Sequence, residues 1–259
     1  MSGIIRVKTV GFDRYEELLL QRDQYRKDAD QAFLHYVHEF GEELRANFEL
    51  KVDCISIRRS IAYCQAALNH GKTINTVALQ QMLAIEMRKY YEELSQMTET
   101  NEACRHLKTI SAYDVQQIRK LYRELARQLH PDINPETGRS RKLMDLWNRI
   151  VTAYKANDLS ELNALQVLVN KALNELGMGS EEIDIPDIGE RIAELEEEIK
   201  GIVSKDPYQY KFLLQAPDLV SQKHEALKIE HAEYEEARQQ LQAILDELMK
   251  KGDAKWVLN

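Results

Sequence analysis

Length, composition and charge restrict the fold classes open to this chain of 259 residues. Charged residues make up 30% of it, and its 10 glycines and 5 prolines are too few for the many turns of an all-β fold. Its abundant Leu, Ala, Glu, Lys and Arg are strong helix formers. We therefore expect an all-α fold of long helices. The net charge of −8 argues against nucleic acid or an anionic membrane as a general partner.

Membrane segments and metal sites are not expected either. No apolar stretch approaches the roughly 18 to 20 residues that cross a bilayer, and the start of the chain lacks the features of a secretory signal. We therefore expect a cytoplasmic protein with no membrane partner. Cys54, Cys64 and Cys104 have spacings that fit neither a disulfide framework nor a CxxC zinc site. We expect them to be small buried side chains, and we expect no metal or cofactor.

The first predicted element is a long helix over about residues 14–69, with Asp13 as its cap. Apolar residues recur through it at helical spacing, and Gly41, the only obvious interruption, costs roughly 1 kcal/mol relative to Ala without forcing a break. A continuous helix of this length would span roughly 85 Å, so a kink or a split into two helices remains open. Asn69-His70-Gly71 predicts its C-terminus, with Gly71 free to adopt positive φ.

A second helix is predicted from about Asn75, which would make residues 1–101 an antiparallel helical hairpin. The aromatic residues of the two predicted helices indicate either a packed seam between these helices or an exposed client-binding face. The alternatives stay open at this stage. They concern chiefly Tyr15, Tyr25, Phe33, Tyr36, Phe40, Phe48, Tyr90 and Tyr91.

The C-terminal part of the chain is strongly acidic where it begins. Between Glu181 and Lys200 there are nine acids against two bases. Apolar residues step by three and four through this stretch, which is the seam of a coiled coil; they are Ile185, Ile188, Ile192, Leu195, Ile199 and Ile202. Asp206-Pro207 suits a helix start, and a longer helix is predicted from about Asp218 to Lys250. We expect residues 179–259 to form a second antiparallel coiled-coil hairpin, through which the chain could also form homo-oligomers.

The central region, residues 102–178, carries the most specific pattern. Residues 118–132 predict an amphipathic helix with an apolar stripe at Ile118, Leu121, Tyr122, Leu125 and Leu129. Its other face is basic, with a net charge of +3 from Arg119, Lys120, Arg123 and Arg127 against Glu124. Such a face inside an acidic protein indicates a docking surface for an acidic partner. Pro131 ends the helix at His130, which leaves His130 and Asp132 on a loop. A second helix follows, with Leu143, Leu146, Trp147, Ile150, Val151 and Tyr154 on one face.

This pattern resembles the J-domain of DnaJ-type co-chaperones over about residues 104–158. The string Ile-Arg-Lys-x-Tyr-Arg-x-Leu-Ala-x-x-x-His-Pro-Asp is similar to the second helix of that family and the loop that follows it. Trp147, Ile150, Ala153 and Tyr154 resemble the pattern of its third helix. The resemblance implies a co-chaperone that docks on a DnaK-type ATPase chaperone, stimulates its ATP hydrolysis and recruits a client that the sequence does not identify.

The resemblance also implies a role for each matching residue. His130, Pro131 and Asp132 would contact the chaperone and trigger hydrolysis, and Arg119, Lys120, Arg123 and Arg127 would supply the basic docking face. Tyr122 lies near that face, although its position in the helix suits core packing equally well.

Several features depart from the family pattern. Glu124 and Ile133 occupy positions that are commonly basic, which could weaken docking. The first helix of the family is only faintly visible, with Leu107 and Ile110 as its apolar anchors. The usual fourth helix is replaced by residues 158–162 and a further helix to about Leu176. No Gly/Phe-rich linker or cysteine repeat follows.

Other readings of these residues remain open. His130 could instead be a helix-terminal histidine that bonds the backbone, with Asp132 capping the next turn. The chain could be a coiled-coil scaffold or adaptor with a degenerate J-like segment. The acidic stretch 181–200 could fold back on Arg119 and Arg123, or it could be a solvated coiled-coil face. No nucleophile, base or metal cluster is predicted, so we do not expect an enzyme.

Overall fold

The computed structural model describes residues 11–105, 110–176 and 187–254, and these residues are helical with no strand, as the composition predicted. They form ten helices: α1 (Phe12–Asn69), α2 (Thr76–Glu86), α3 (Arg88–Cys104), α4 (Ala112–Leu129), α5 (Pro135–Arg139), α6 (Arg141–Lys155), α7 (Leu159–Glu175), α8 (Ile188–Val203), α9 (Tyr210–Leu214) and α10 (Pro217–Ala254). None of the helices in this part of the chain is both long and apolar enough to cross a bilayer.

The chain divides into two compact units. The first contains the described residues of 11–32, 110–176 and 187–209, and the second those of 33–105 and 210–254. Each unit is therefore assembled from segments that are distant in the sequence. This differs from the three consecutive domains predicted at 1–101, 102–178 and 179–259, because the apolar faces of the later helices find their partners on α1.

Helix α1 is continuous over 58 residues, so the split into two helices left open by the sequence does not occur. It begins at Phe12, two residues before the predicted start at Arg14. It ends as predicted: Gly71 has a φ of +69°, and the Lys72 amide donates to the Ala67 carbonyl oxygen at 2.9 Å. This pattern satisfies the last carbonyl groups of the helix.

In the second unit, α2 and α3 run antiparallel to α1. The side chain of Asn75 caps α2 by accepting a hydrogen bond from the Ala78 amide at 3.0 Å. Gly41 of α1 lies against α3, since a Cβ atom there would overlap the side-chain amide of Asn101. The glycine that looked like an interruption thus lets α3 pack tightly. The single second helix predicted from about Asn75 is divided at Met87 into α2 and α3.

Helix α10 runs parallel to α1 in the same unit. Asn47 donates to the Leu227 carbonyl oxygen at 2.8 Å, and the Cys54 thiol lies 3.5 Å from the Tyr234 carbonyl oxygen. Both pairs are 180 residues apart, so the register between the two helices is constant. All three cysteines are buried thiols, as expected.

The predicted C-terminal coiled-coil hairpin is wrong. Helix α8 belongs to the first unit and α10 to the second, and each packs against α1. Pro207 does not start a helix. The helices that follow it begin at Tyr210 and Pro217. A heptad pattern specifies an apolar face on a helix but not the helix that will cover it.

Two hydrophobic clusters hold the first unit together. The larger joins α4, α6 and α7 with Leu20 of α1, and it contains every member of the apolar stripe predicted on α4. The smaller joins Phe12, Tyr15, Leu18 and Leu19 of α1 with Ile133 and with Leu195 of α8. Ile188, Ile192 and Ile199 pack against it, so the predicted seam of α8 is a true packing face; Ile185 lies outside the described residues.

Most of the N-terminal aromatic residues are packed inside a unit. Tyr36 stacks on Tyr210 at 4.0 Å between ring centroids, and Phe40 is fully buried beside His224. Tyr25 contacts Tyr208 edge-on. Phe33 and Tyr91 are the exceptions, since both are exposed. The packed seam is thus the reading that fits most of them.

Candidate functional site

Helix α4 and helix α6 form the antiparallel pair that the sequence predicted. Tyr122 of α4 stacks on Tyr154 of α6 with 3.8 Å between ring centroids, and His130 at the end of α4 meets Trp147 edge-on at 4.9 Å. The loop between them begins where Pro131 requires it, because His130 has φ −62° and ψ 125° and has left the helical region.

The loop that carries His130, Pro131 and Asp132 is held by its own backbone. The amides of Ile133 and Asn134 both donate to the His130 carbonyl oxygen, at 2.9 and 2.7 Å. The Asn134 side chain donates to the Gln128 carbonyl oxygen at 2.8 Å and accepts from the Glu136 amide, which starts α5. This loop is therefore a rigid element.

The His130 side chain is turned inward and is only 7% exposed. Its Nδ1 accepts a hydrogen bond from the Asp132 amide at 3.1 Å, so this nitrogen carries no proton. Its Nε2 lies 3.8 Å from an Asp23 carboxylate oxygen of α1. Burial lowers the pKa of His130 despite the nearby Asp23 and Asp132 carboxylates. In this conformation the imidazole is neutral and closes the turn.

Pro131 and Asp132 are more accessible than His130. Pro131 is partly buried, and the Asp132 side chain is 47% exposed. Asp132 does not cap the next turn with its side chain, since α5 is capped by Asn134. Of the three residues, only Asp132 presents a charged group to solvent.

The basic face of α4 lies against acidic residues of α1. Arg119 pairs with Asp28 at 3.1 Å, Arg123 with Glu17 at 3.8 Å and Arg127 with Glu16 at 2.7 Å. The three arginine side chains remain 42–48% exposed, and Lys120 is exposed as well. The predicted basic face therefore exists, with part of it occupied by the chain itself.

Tyr122 belongs to the core. It is buried, its ring stacks on Tyr154, and its hydroxyl donates to Asp23 at 2.6 Å. Burial, followed by the nearby Asp23 carboxylate, raises the pKa of Tyr122 far above its ordinary value. Of the two readings left open for this residue, core packing is the one that the geometry supports.

The acidic stretch near the C-terminus does not cover the arginines of α4. In α8, Glu196 pairs with Arg14 of α1 at 2.7 Å, and Glu198 pairs with Arg26 and lies 3.9 Å from Arg22. The acids of α8 thus face a basic side of α1. Of the two open readings of this stretch, masking of the α4 arginines does not hold for Glu196 and Glu198 of α8, and residues 181–186 lie outside the described residues.

Ile133 and Glu124, the two residues that we expected to weaken docking, both make contacts within the chain. Ile133 is fully buried against Phe12, Leu19 and their neighbours, so it anchors α1 to the loop. Glu124 points toward α7, where it accepts a hydrogen bond from Gln166 at 3.3 Å. Leu107 lies outside the described residues, and Ile110 lies in no helix.

The acids of α1 are the residues that the sequence analysis missed. Glu16 and Asp23 are seven residues apart, and Glu17 and Asp28 eleven. Both spacings return to nearly the same side of a helix. Helix α1 thus has an acidic side, and α4 has arginines at every fourth residue. These two patterns together could have predicted that α1 packs against α4.

Comparison with known proteins gives no relative for this chain. No protein-family model, no curated protein and no solved structure matches it. What can be said about function depends on the residues and geometry described above.

Proposed function

We propose that this chain is a co-chaperone of the J-domain type, which docks on a DnaK-type chaperone through α4 and residues 130–132 and stimulates its ATP hydrolysis. The observation that carries the proposal is the antiparallel pair of α4 and α6, with arginines along one face of α4 and a rigid His-Pro-Asp loop at its end. Both features agree with the motif to which residues 104–158 are similar.

The described conformation is a closed form of this co-chaperone. Glu16, Glu17 and Asp28 form ion pairs with the arginines that an acidic partner would contact. His130 is buried as well. Exposed ion pairs of this kind contribute about 0–1 kcal/mol each, so a partner with its own carboxylates can compete for them. Docking therefore requires the side chains of Glu16, Glu17 and Asp28 to release the arginines of α4.

The second unit supplies the contact with a client in this proposal. Several large apolar side chains are exposed on α2 and α3, where they can meet another protein. They are Val77, Ile85 and Tyr91. The proposed setting is the cytoplasm, where DnaK-type chaperones act.

A scaffold or adaptor is the second candidate, and one observation favours it. The His130 ring closes its own turn and the arginines of α4 have partners within the chain. If α1 never leaves α4, the J-like segment is a structural element, and the two units only hold partners.

The test is the rate of ATP hydrolysis by a purified DnaK-type chaperone in the presence of the full chain. It is run with the wild type and with an opened variant, Glu16→Lys/Glu17→Lys/Asp28→Lys, whose new lysines repel the arginines of α4. We expect stimulation, and we expect Asp132→Asn in either background to reduce it at least tenfold, on the order of 1.4 kcal/mol in the activation barrier.

The matched control is Asp145→Asn, which makes the same chemical change at an exposed position of α6. It is expected to leave stimulation unchanged. If neither the wild type nor the opened variant stimulates hydrolysis at saturating concentration, the co-chaperone proposal fails and the scaffold is favoured.

A further inference from the structure

A cavity of about 420 Å³ lies beside His130 in the first unit. Its walls come from α1, from α6 and from α4 with the His130 that follows it. Its volume is within the range of small-molecule sites. The side chains that matter for its chemistry are Arg22, Arg26, Lys27, Lys155, Trp147 and Val151.

Lys27 is the unusual residue of this cavity. It is only 7% exposed, and its ammonium group has no hydrogen-bond partner. It lies 3.7 Å from the centroid of the Tyr154 ring, a cation–π contact that compensates part of the lost hydration. Burial lowers the pKa of Lys27 to about 8. The nearby Asp28 carboxylate is bonded to Arg119 and does not accept from Lys27.

A buried ammonium with three unused donors is costly unless an acceptor satisfies it. The ammonium nitrogen is enclosed against the Tyr154 ring, so an anion would supply that acceptor by drawing the Lys27 side chain from the ring toward the cavity. The lining contains four basic side chains against two acidic ones, Asp23 and Asp30. Asp23 is already engaged by Arg22 at 3.0 Å and by the Tyr122 hydroxyl at 2.6 Å.

Two of the basic side chains can turn toward a ligand. Lys155 is exposed, and Arg26, although it pairs with Glu198, is 55% exposed. A guanidinium group can bind two oxygens of a phosphate side by side, and ammonium groups add point charges. Trp147 and Val151 form the less polar wall, which suits the carbon part of a small molecule.

We propose that this cavity binds a small-molecule phosphate monoester, with the phosphate between Lys27, Arg26 and Lys155 and the organic group against Trp147 and Val151. A phosphate fits better than a carboxylate because it carries up to two charges and three terminal oxygens for these donors. The basic side chains that would hold the phosphate lie on α1 and α6, so the bound ligand would join α1 to the α4–α6 pair. The proposal does not depend on chaperone activity.

The test is isothermal titration calorimetry on the full chain with phenyl phosphate, with benzoate and with sodium chloride at equal ionic strength. We expect phenyl phosphate to bind with a Kd below about 1 mM, a modest affinity for one charged group in an open cavity. We expect benzoate to bind at least tenfold more weakly and sodium chloride to give no saturable heat.

Lys27→Met and Lys155→Met are each expected to weaken binding of phenyl phosphate at least tenfold. Lys27→Met removes an unpaired buried charge, and Lys155→Met alters only an exposed side chain, so both variants fold. Lys171→Met, at an exposed position of α7, is the control and keeps wild-type affinity.

Three results would overturn the proposal. The first is that phenyl phosphate gives no saturable binding at millimolar concentration. The second is that benzoate binds as tightly as phenyl phosphate, which removes the assignment to phosphate. The third is that both lysine variants bind with wild-type affinity, which places the ligand elsewhere.

Discussion

Single residues of the first unit show how the loop after α4 holds α1. Ile133 is fully buried between the loop and α1. Tyr122 sends its hydroxyl to Asp23 of α1 at 2.6 Å, and His130 lies 3.8 Å from the same carboxylate. Each of these residues contributes to the contact with α1, so the loop region is adapted to hold that helix.

Ile133→Ala tests this adaptation. Removing a fully buried isoleucine leaves a cavity, and such changes cost about 2–5 kcal/mol. We expect the free energy of unfolding of the first unit to fall by that amount in urea. Trp147 fluorescence in a Trp256→Phe background follows this unit, because Trp147 lies in its core and the chain has 2 tryptophans.

The matched control for Ile133→Ala is Val167→Ala, at a position of α7 in the first unit that is 68% exposed. It is expected to cost under about 1 kcal/mol. Equal losses in the two variants would mean that Ile133 does not anchor α1.

At the scale of helices, the sequence predicts the elements well and their partners poorly. Gly71 predicts the C-terminal end of α1, residues 118–129 predict the apolar stripe of α4, and the pattern around Trp147 predicts the buried face of α6. Each of these signals is local in the sequence. The partner of α8 was predicted to be α10 and is α1. Periodicity reveals an apolar face, whereas the choice of partner depends on contacts between residues that are far apart in the sequence.

The pairing of α1 with α10 contains a pH-sensitive contact. His224 of α10 bridges Glu39 and Glu43 of α1, at 3.0 and 2.6 Å, and its ring lies 4.8 Å from that of Phe40. The hydrogen bonds to Glu39 and Glu43 raise the pKa of His224 above its ordinary value of 6.5. The charged imidazole stabilises the fold, so this contribution is complete below pH 6.5 and is lost as the pH rises through the raised pKa.

His224→Gln is therefore expected to flatten the pH dependence of stability. Between about pH 6 and about pH 9, the wild type should lose more free energy of unfolding than the variant does. Urea titrations followed by circular dichroism at the two pH values measure the difference. His38→Gln, an exposed position on α1, is the control and should behave as the wild type. Parallel losses in all three proteins would contradict the contact.

At the scale of the whole molecule, the charge of −8 is distributed so that opposite charges meet within the chain. One side of α1 presents acids to α4, and another presents Arg14, Arg22 and Arg26 to the acids of α8. The basic helix that would attract an acidic chaperone is thereby paired within the first unit. Residues 12–32 of α1 consequently have two roles in our account: they complete the unit and they limit access to it.

The ratio of chaperone stimulation between the opened variant and the wild type tests this account most directly. Reversing Glu16, Glu17 and Asp28 removes three partly exposed ion pairs and adds repulsion, roughly 1–3 kcal/mol in total. We predict that Glu16→Lys/Glu17→Lys/Asp28→Lys stimulates a DnaK-type ATPase on the order of tenfold more than the wild type. Glu233→Lys/Glu235→Lys/Glu236→Lys makes the same charge change at exposed positions of α10 and should match the wild type. Equal stimulation by the opened variant and the wild type would contradict a closed form held by α1.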